Sequence, residues 1–114
     1  MPYLTIQTNL DVNPDQAEKL LKAASKVVAD GLGKPESYVM VNLDPPRPML
    51  FAGNNAPAAY LELKSIGLPG DRTQALSESL CSLINTNMDI DPGRIYIEFA
   101  DAPRHMWGWN NSTF

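Results

Sequence analysis

The sequence predicts an α/β (α+β) protein of two β-α-β units, which form one four-stranded mixed sheet with two helices on one face. Each half of the chain reads strand, helix, strand. In the first half Gln16-Ala17 stands 22 residues before Tyr38. In the second half Gln74-Ala75 stands 22 residues before Tyr96, so the halves share their spacing. Because a β-α-β crossover makes its two strands parallel, the two units placed side by side give the four strands.

The first unit begins with a strand and a capped helix. Residues 3–9 alternate apolar and polar side chains, which predicts a strand. Asn13 suits an N-cap and Pro14 the first helical position, and Gly31 and Gly33 end the helix. An apolar stripe at helical spacing lies between these ends. Its residues are Ala17, Leu20, Leu21, Ala24, Val27 and Val28.

The rest of this unit is a second strand and a loop. Residues 38–43 are rich in β-formers and predict the strand. The prolines within residues 44–48 end it, because proline has no backbone donor. We expect a short extra strand at 49–51 and a turn at 52–55.

The second unit repeats this order. Residues 59–66 alternate as a strand, Asp71 is the expected N-cap of a second helix, and 94–99 form the last strand after a turn at 91–93. One helix face carries Leu76, Leu80, Leu83 and Ile84.

The strands contain more apolar residues than one helix layer needs. We therefore expect a second copy of the chain to cover the other face of the sheet. The residues concerned are Leu4, Ile6, Val39, Val41, Leu61, Leu63, Ile95 and Ile97.

Composition limits the classes of function. With 114 residues, 44% of them apolar, the chain is expected to be one domain over 1–114, with a repeat of about 1–57 and 58–114. A net charge of −4 leaves no basic patch for nucleic acid. The single Cys81 and single His105 exclude an internal disulfide and argue against a zinc site, and no cofactor is indicated. No membrane span or signal peptide is recognisable, so we expect a cytoplasmic protein, with unconventional export left open.

The start of the chain carries the most specific chemistry. Removal of Met1 would leave Pro2 with a free secondary amine. Chain-terminal amines titrate near ~7.7–8.0, and an apolar pocket or a neighbouring cation lowers that pKa. A neutral amine is then a base or nucleophile at neutral pH. The alternative is that the chain begins Met-Pro by chance.

The aromatic tail has no clear periodicity. It holds Met106, Trp107, Trp109 and Phe114, and large aromatic residues in a tail are usually docked. We expect them either to line a pocket or to pack against a neighbouring subunit.

These features together resemble the macrophage migration inhibitory factor family of the tautomerase superfamily over the whole chain. The resemblance implies duplicated β-α-β halves assembled as a homotrimer. It is carried by Pro2, Thr8-Asn9, Gly33-Lys34-Pro35, Ser65-Ile66-Gly67, Arg94-Ile95-Tyr96-Ile97 and the ending Gly108-Trp109-Asn110-Asn111-Ser112-Thr113-Phe114.

The resemblance also implies roles for individual residues. Pro2 would be the catalytic base, and Lys34 would bind a substrate carboxylate or oxyanion. The backbone amide of Ile66 would contact substrate, and Tyr96 would come from the adjacent subunit. Without the resemblance, the favoured interpretation of Lys34 is a solvated helix-end lysine, and the alternative for Ile66 and Tyr96 is packing within a strand. The other residues at or near the pocket rim would be Tyr38, Trp107, Trp109 and Phe114.

The chain departs from the family pattern at three places. Glu98 replaces an asparagine of the mammalian cytokine's pocket, where a carboxylate would raise the pKa of the Pro2 amine and repel an anionic substrate. Trp107 replaces a smaller aliphatic residue and would narrow the mouth. Residues 58–61 lack the Cys-x-x-Cys of the cytokine, so thiol–disulfide exchange is not expected. Cys81 is expected to be a small packed residue.

Three functions remain open from the sequence. The first is a keto–enol tautomerase that acts on a small aromatic α-keto or enol substrate of the phenylpyruvate or dopachrome type. The second is a non-enzymatic, cytokine-like binding protein with a vestigial pocket, whose protein receptor is left open. The third is decarboxylation or hydration of a small unsaturated acid, for which the chain offers no further polar groups near Pro2.

Overall fold

The computed structural model describes all 114 residues and contains a four-stranded sheet, a two-stranded hairpin and two α-helices. Neither helix combines the length and apolar character needed to cross a membrane. The helices are α1 (Pro14–Leu32) and α2 (Thr73–Met88). The strands are β1 (Tyr3–Thr8), β2 (Met40–Leu43), β3 (Ala59–Ile66), β4 (Ile95–Ala102), β5 (Gly108–Trp109) and β6 (Ser112–Thr113).

The sheet has the order β2-β1-β3-β4, which confirms the predicted four-stranded mixed sheet of two β-α-β units. Within each unit the strands are parallel, β1 with β2 and β3 with β4, while β1 and β3 run antiparallel at the centre. In this register Tyr3 lies beside Met40 on one side and Lys64 on the other. The beginning of β1 therefore lies at the same end of the sheet as the end of β3.

Both ends of α1 are fixed by the local signals that the sequence carries. The Asn13 side chain accepts a hydrogen bond from the Gln16 backbone N–H at 2.8 Å, and the Gln16 side chain accepts one from the Asn13 N–H at 3.3 Å. This reciprocal pair is a capping box, with Pro14 at the first helical position. Gly33 ends the helix with a left-handed φ of 64°. The predicted start of α1 and its end at Gly33 are confirmed, whereas Gly31 lies inside the helix.

The core lies between the helices and one face of the sheet. Leu4, Ile6, Leu61 and Leu63 have no exposed surface. Val39, Val41 and Ile97 also pack against this core. The eight apolar strand residues therefore fit beneath one helix layer, and the expected apolar surplus on the other face is wrong.

The open face of the sheet is polar and aromatic, because side chains alternate along a strand. On β4 the outward positions Tyr96 and Glu98 are exposed, while Ile95 is buried. On β3 the outward positions Tyr60 and Glu62 are partly buried. A partner on this face would meet these groups together with the exposed Met40 side chain of β2.

Several predicted boundaries move. Asp71 lies in a 3-10 turn over 70–72 and does not cap α2, which begins after Arg72 with no side-chain cap. Tyr38 also belongs to a 3-10 turn, so β2 begins only at Met40. Residues 49–51 form no strand and are followed by a turn that an isolated bridge between Phe51 and Asn54 closes. β4 continues three residues beyond Phe99, to Ala102.

The tail folds into a hairpin that its sequence period does not indicate. Gly108 pairs with Thr113 and Trp109 with Ser112. Asn110 and Asn111 form the turn with φ values of 50° and 64°. Positive φ at both central residues is the signature of a type I′ turn, and asparagine tolerates it.

The capping box predicts a measurable loss of stability. Replacement of Asn13 by alanine should lower the free energy of unfolding by about 1 kcal/mol, because the Gln16 N–H then loses its partner. Urea denaturation at one fixed protein concentration measures this. Asn13→Asp keeps an acceptor and should stay close to the parent protein. Equal stability of all three proteins would show that the box contributes nothing.

Candidate active site

A cavity of about 370 Å³ opens where β1 begins. Three segments form it: the start of the chain, the 3-10 turn that leads into β2, and the tail hairpin. Its lining is mostly apolar. The lining residues are Met1, Pro2, Tyr3, Ser37, Tyr38, Val39, Met40, Trp107, Gly108, Trp109 and Phe114.

Pro2 is held in the cavity by the sheet. Its carbonyl accepts a hydrogen bond from the Met40 N–H at 3.0 Å, which extends the β1–β2 pairing by one residue. The Pro2 side chain is almost completely buried. Because the backbone on its C-terminal side is fixed, the position of the Pro2 nitrogen is fixed as well.

An aromatic wall encloses one side of the cavity. The Tyr38 and Trp109 rings meet edge to face, with centroids 5.9 Å apart. Trp109 stacks on Phe114 with centroids 5.6 Å apart and planes 13° from parallel. The Phe114 N–H donates to the Trp107 carbonyl at 3.3 Å, so the last residue is tied to the hairpin. The edge-to-face and stacked arrangements of these two ring pairs are both preferred geometries for aromatic side chains.

Lys34 places a positive charge at the start of the chain. It follows the Gly33 cap of α1, and its ammonium donates to the Ile66 carbonyl at the end of β3, at 2.5 Å. Burial first, and then the charge of Lys34 and a hydrogen bond with it, lower the pKa of the Met1 amine from 8.0 to about 6. With this pKa the Met1 amine is mostly neutral at pH 7.

Tyr96 lies far from the cavity of its own chain. It pairs with Tyr60, which pairs with Gln7, five residues along β1 from Pro2. At ~3.3 Å per residue Gln7 is about 17 Å from Pro2, and Tyr96 is farther still because it lies two strand spacings of ~4.8 Å away from Gln7. Tyr96 is 65% exposed and packs against Phe51, with ring centroids 4.9 Å apart. Its place in a pocket thus needs another copy of the chain and stays a prediction.

Glu98 also lies outside this cavity, on the open face of the sheet. Its carboxylate accepts a hydrogen bond from the Tyr60 hydroxyl at 2.5 Å, and that hydroxyl lies 3.2 Å from the Glu62 carboxylate. The bond to Glu98 raises the pKa of the Tyr60 hydroxyl. Within one chain the Glu98 charge therefore does not face the Pro2 nitrogen.

The structure brings together most of the residues expected at the site and adds others. Pro2, Tyr38, Trp107, Trp109 and Phe114 line one cavity, and the Lys34–Ile66 pair lies beside the start of the chain. Sequence reasoning missed the other lining residues, namely Met1, Tyr3, Ser37, Val39, Met40 and Gly108. The Asn-Asn dipeptide at 110–111 was the available signal for the hairpin that shapes this side.

The remaining titratable groups form no second centre. No three His, Cys, Asp or Glu side chains lie close enough to hold a metal ion. Cys81 is partly buried and packs against the core, as expected for a small packed residue.

Comparison with known proteins places this architecture in one family. The family model described as macrophage migration inhibitory factor (MIF) matches residues 1–114. A macrophage migration inhibitory factor homolog of Brugia malayi is 42% identical over 115 residues, covering 100% of this chain and 99% of the relative. The macrophage migration inhibitory factor of Mus musculus is 35% identical with the same coverage.

Solved structures agree with the sequence comparison. The homologue from Prochlorococcus marinus superposes with a TM-score of 0.92 at 48% identity, over 98% of both chains. The factor from Toxoplasma gondii gives a TM-score of 0.93 at 32% identity, over 98% of this chain and 99% of the other. The chain therefore belongs to the macrophage migration inhibitory factor family, which has the tautomerase-superfamily fold.

Proposed function

We propose that this protein is a keto–enol tautomerase for aryl α-keto acids such as phenylpyruvate, or for dopachrome-like substrates. Pro2 would act as the general base and acid after removal of Met1. The observation that supports this most strongly is the position of the Pro2 nitrogen. It is fixed in a mostly apolar, aromatic cavity, and the lysine ammonium lies beside the residue before it.

The surroundings favour a neutral amine. The Met1 amine has a pKa of about 6 because of burial and Lys34. Once Met1 is removed, the chain-terminal amine belongs to Pro2, one residue deeper and almost fully buried. We expect the same two causes to act on it, and a neutral secondary amine can accept a proton at pH 7.

The proton then moves between carbon and oxygen. The Pro2 nitrogen removes a proton from the carbon next to the ketone, and the electron pair of that C–H bond becomes the C=C bond of an enolate. The protonated Pro2 returns the proton to the enolate oxygen. The Lys34 ammonium stabilises the developing negative charge or holds the carboxylate. The aromatic wall formed by Tyr38, Trp109 and Phe114 gives the substrate ring an apolar site.

The proposal includes a homotrimer, a number that comes from the family resemblance. Tyr96 is an exposed aromatic residue more than about 17 Å from its own Pro2. In an oligomer it would reach the cavity of a neighbouring copy, together with the polar face around Glu98. A substrate ring between Tyr96 of one copy and the aromatic wall of another would be shielded on both sides.

Replacement of the secondary amine of Pro2 should strongly reduce turnover. In Met1-free protein, Pro2→Gly should lower kcat/KM for phenylpyruvate ketonisation by about 100-fold or more, the size of a general acid–base contribution. Intact mass confirms removal of Met1, and size-exclusion chromatography confirms an unchanged assembly. The parent sequence with Met1 retained is a matched control, because its Pro2 nitrogen is an amide, and it should also be inactive.

An unchanged rate in Pro2→Gly would contradict the mechanism. If the Met1-free parent itself shows no turnover, the tautomerase proposal fails. The cytokine-like binding function then becomes the better account. A partner pull-down that Pro2→Gly leaves intact would support it.

The positive charge of Lys34 should contribute to kcat/KM independently of the aliphatic part of its side chain. Lys34→Met keeps the length of the side chain and removes the ammonium, and should lower kcat/KM by about 100-fold, as the loss of one oxyanion donor does. Lys34→Arg should restore part of the rate. Lys22→Met is the matched control, because Lys22 is an exposed helical lysine paired with Glu18 at 3.0 Å. Equal effects at positions 22 and 34 would remove Lys34 from the mechanism.

A further inference from the structure

Arg94 carries a charge that no carboxylate balances. Its guanidinium makes neither of the ion pairs in the structure. It donates instead to four backbone carbonyls of the loop between β2 and β3. These belong to Phe51 (3.1 Å), Asn54 (3.3 Å), Ala56 (3.0 Å) and Pro57 (2.9 Å). The planar, five-donor fork of arginine suits this arrangement, and a lysine ammonium with three donors does not.

Asn9 holds the same loop from the end of β1. Its side-chain amide donates to the carbonyls of Asn55 at 3.2 Å and Ala56 at 3.1 Å, and its side-chain oxygen accepts from the Ala58 N–H at 2.9 Å. The Ala56 carbonyl therefore accepts hydrogen bonds from the side chains of both Asn9 and Arg94. Neither residue has a role in the proton transfer proposed above.

We call the hydrogen bonds of Arg94 and Asn9 to this loop the clamp. The clamp is connected to Tyr96 through the Phe51 ring. The Arg94 guanidinium lies over the Phe51 ring, 5.0 Å from its centroid. The Phe51 ring contacts the Tyr96 ring at 4.9 Å and 60°. The Phe51 backbone is also tied to Asn54 by hydrogen bonds of 3.0 and 3.2 Å. Phe51 is thus fixed by its backbone and its ring, and it supports an exposed tyrosine.

We infer that Arg94 and Asn9 are positioning residues, which fix Tyr96 through Phe51 so that it can contact the aromatic ring of the substrate. The inference rests on the proposed function, in which Tyr96 reaches the cavity of a neighbouring copy. A tyrosine held in one orientation loses less conformational entropy on binding than a free one. The clamp acts on the substrate ring and not on the reacting carbon, so its loss should raise KM and leave kcat unchanged.

A double-mutant cycle on Met1-free protein tests this. Arg94→Lys should raise KM for phenylpyruvate roughly three- to tenfold, the range of a lost aromatic contact, with kcat within about twofold. Asn9→Ala should act in the same direction. Tyr96→Ala should have an effect of its own, and Arg94→Lys added to Tyr96→Ala should cost nothing more, because the two substitutions remove one contact. Arg72→Lys, at an exposed arginine that caps no helix through its side chain, is the matched control.

Two results would overturn the inference: an unchanged KM in Arg94→Lys, or an effect that adds in full to that of Tyr96→Ala. A second measurement does not need turnover. The ring protons of Tyr96 should be shifted in NMR spectra by the Phe51 ring, and Arg94→Lys should reduce this shift. If the parent protein has no tautomerase activity, the proposed function fails alone. An undisturbed Tyr96 shift in Arg94→Lys then refutes the clamp, and a reduced shift supports it.

Discussion

The hydrogen bond from Lys34 to the Ile66 carbonyl joins the two halves of the chain at the place where the chain begins. Lys34 follows the end of α1, and Ile66 is the last residue of β3. The bond requires the antiparallel pairing of β1 with β3, because this register brings the end of β3 beside the first residues. A lysine held in this way keeps its positive charge next to a partly buried amine. Burial of that amine first, and then this charge and its hydrogen bond, lower the pKa of the Met1 amine.

A second constraint is the strict alternation of the central strands. The apolar strand side chains that form the core lie on the helix side, and the other side carries mainly tyrosines, polar and charged residues. This division places Glu98 and Tyr96 away from the Pro2 of the same chain. The Glu98 carboxylate is instead tied to the Tyr60 hydroxyl. Within one chain the Glu98 carboxylate is therefore kept apart from the Pro2 amine. A negative charge beside that amine would raise its pKa.

The parts of the fold that depend on local signals could be predicted from the sequence. The bounds of β3 followed from its alternation, and both ends of α1 followed from Asn13, Pro14 and Gly33. The prediction of Asp71 as the N-cap of α2 was wrong, because the chain makes a 3-10 turn at 70–72 before α2 and the cap position is therefore Arg72. The tail hairpin was missed because strands of two residues have no measurable period.

The site was less accessible to sequence reasoning than the fold. Pro2, Lys34 and the tail aromatics were recognised as a set through the family resemblance. The contact between Lys34 and a backbone carbonyl 32 residues away depends on sheet register, which no local pattern encodes. The same applies to the four carbonyls that Arg94 binds, since they belong to a loop with no periodic structure.

The proposed mechanism requires the environment at the start of the chain to keep the Pro2 amine neutral at physiological pH. Met1-free protein labelled with ¹⁵N-proline allows the Pro2 nitrogen to be titrated directly by NMR. We expect its pKa to lie below the ~7.7–8.0 of ordinary chain-terminal amines and to rise in Lys34→Met, where the neighbouring cation is gone. A pKa at or above the ordinary value would rule out this mechanism, because the amine would then be mostly protonated at pH 7 and unable to act as the base.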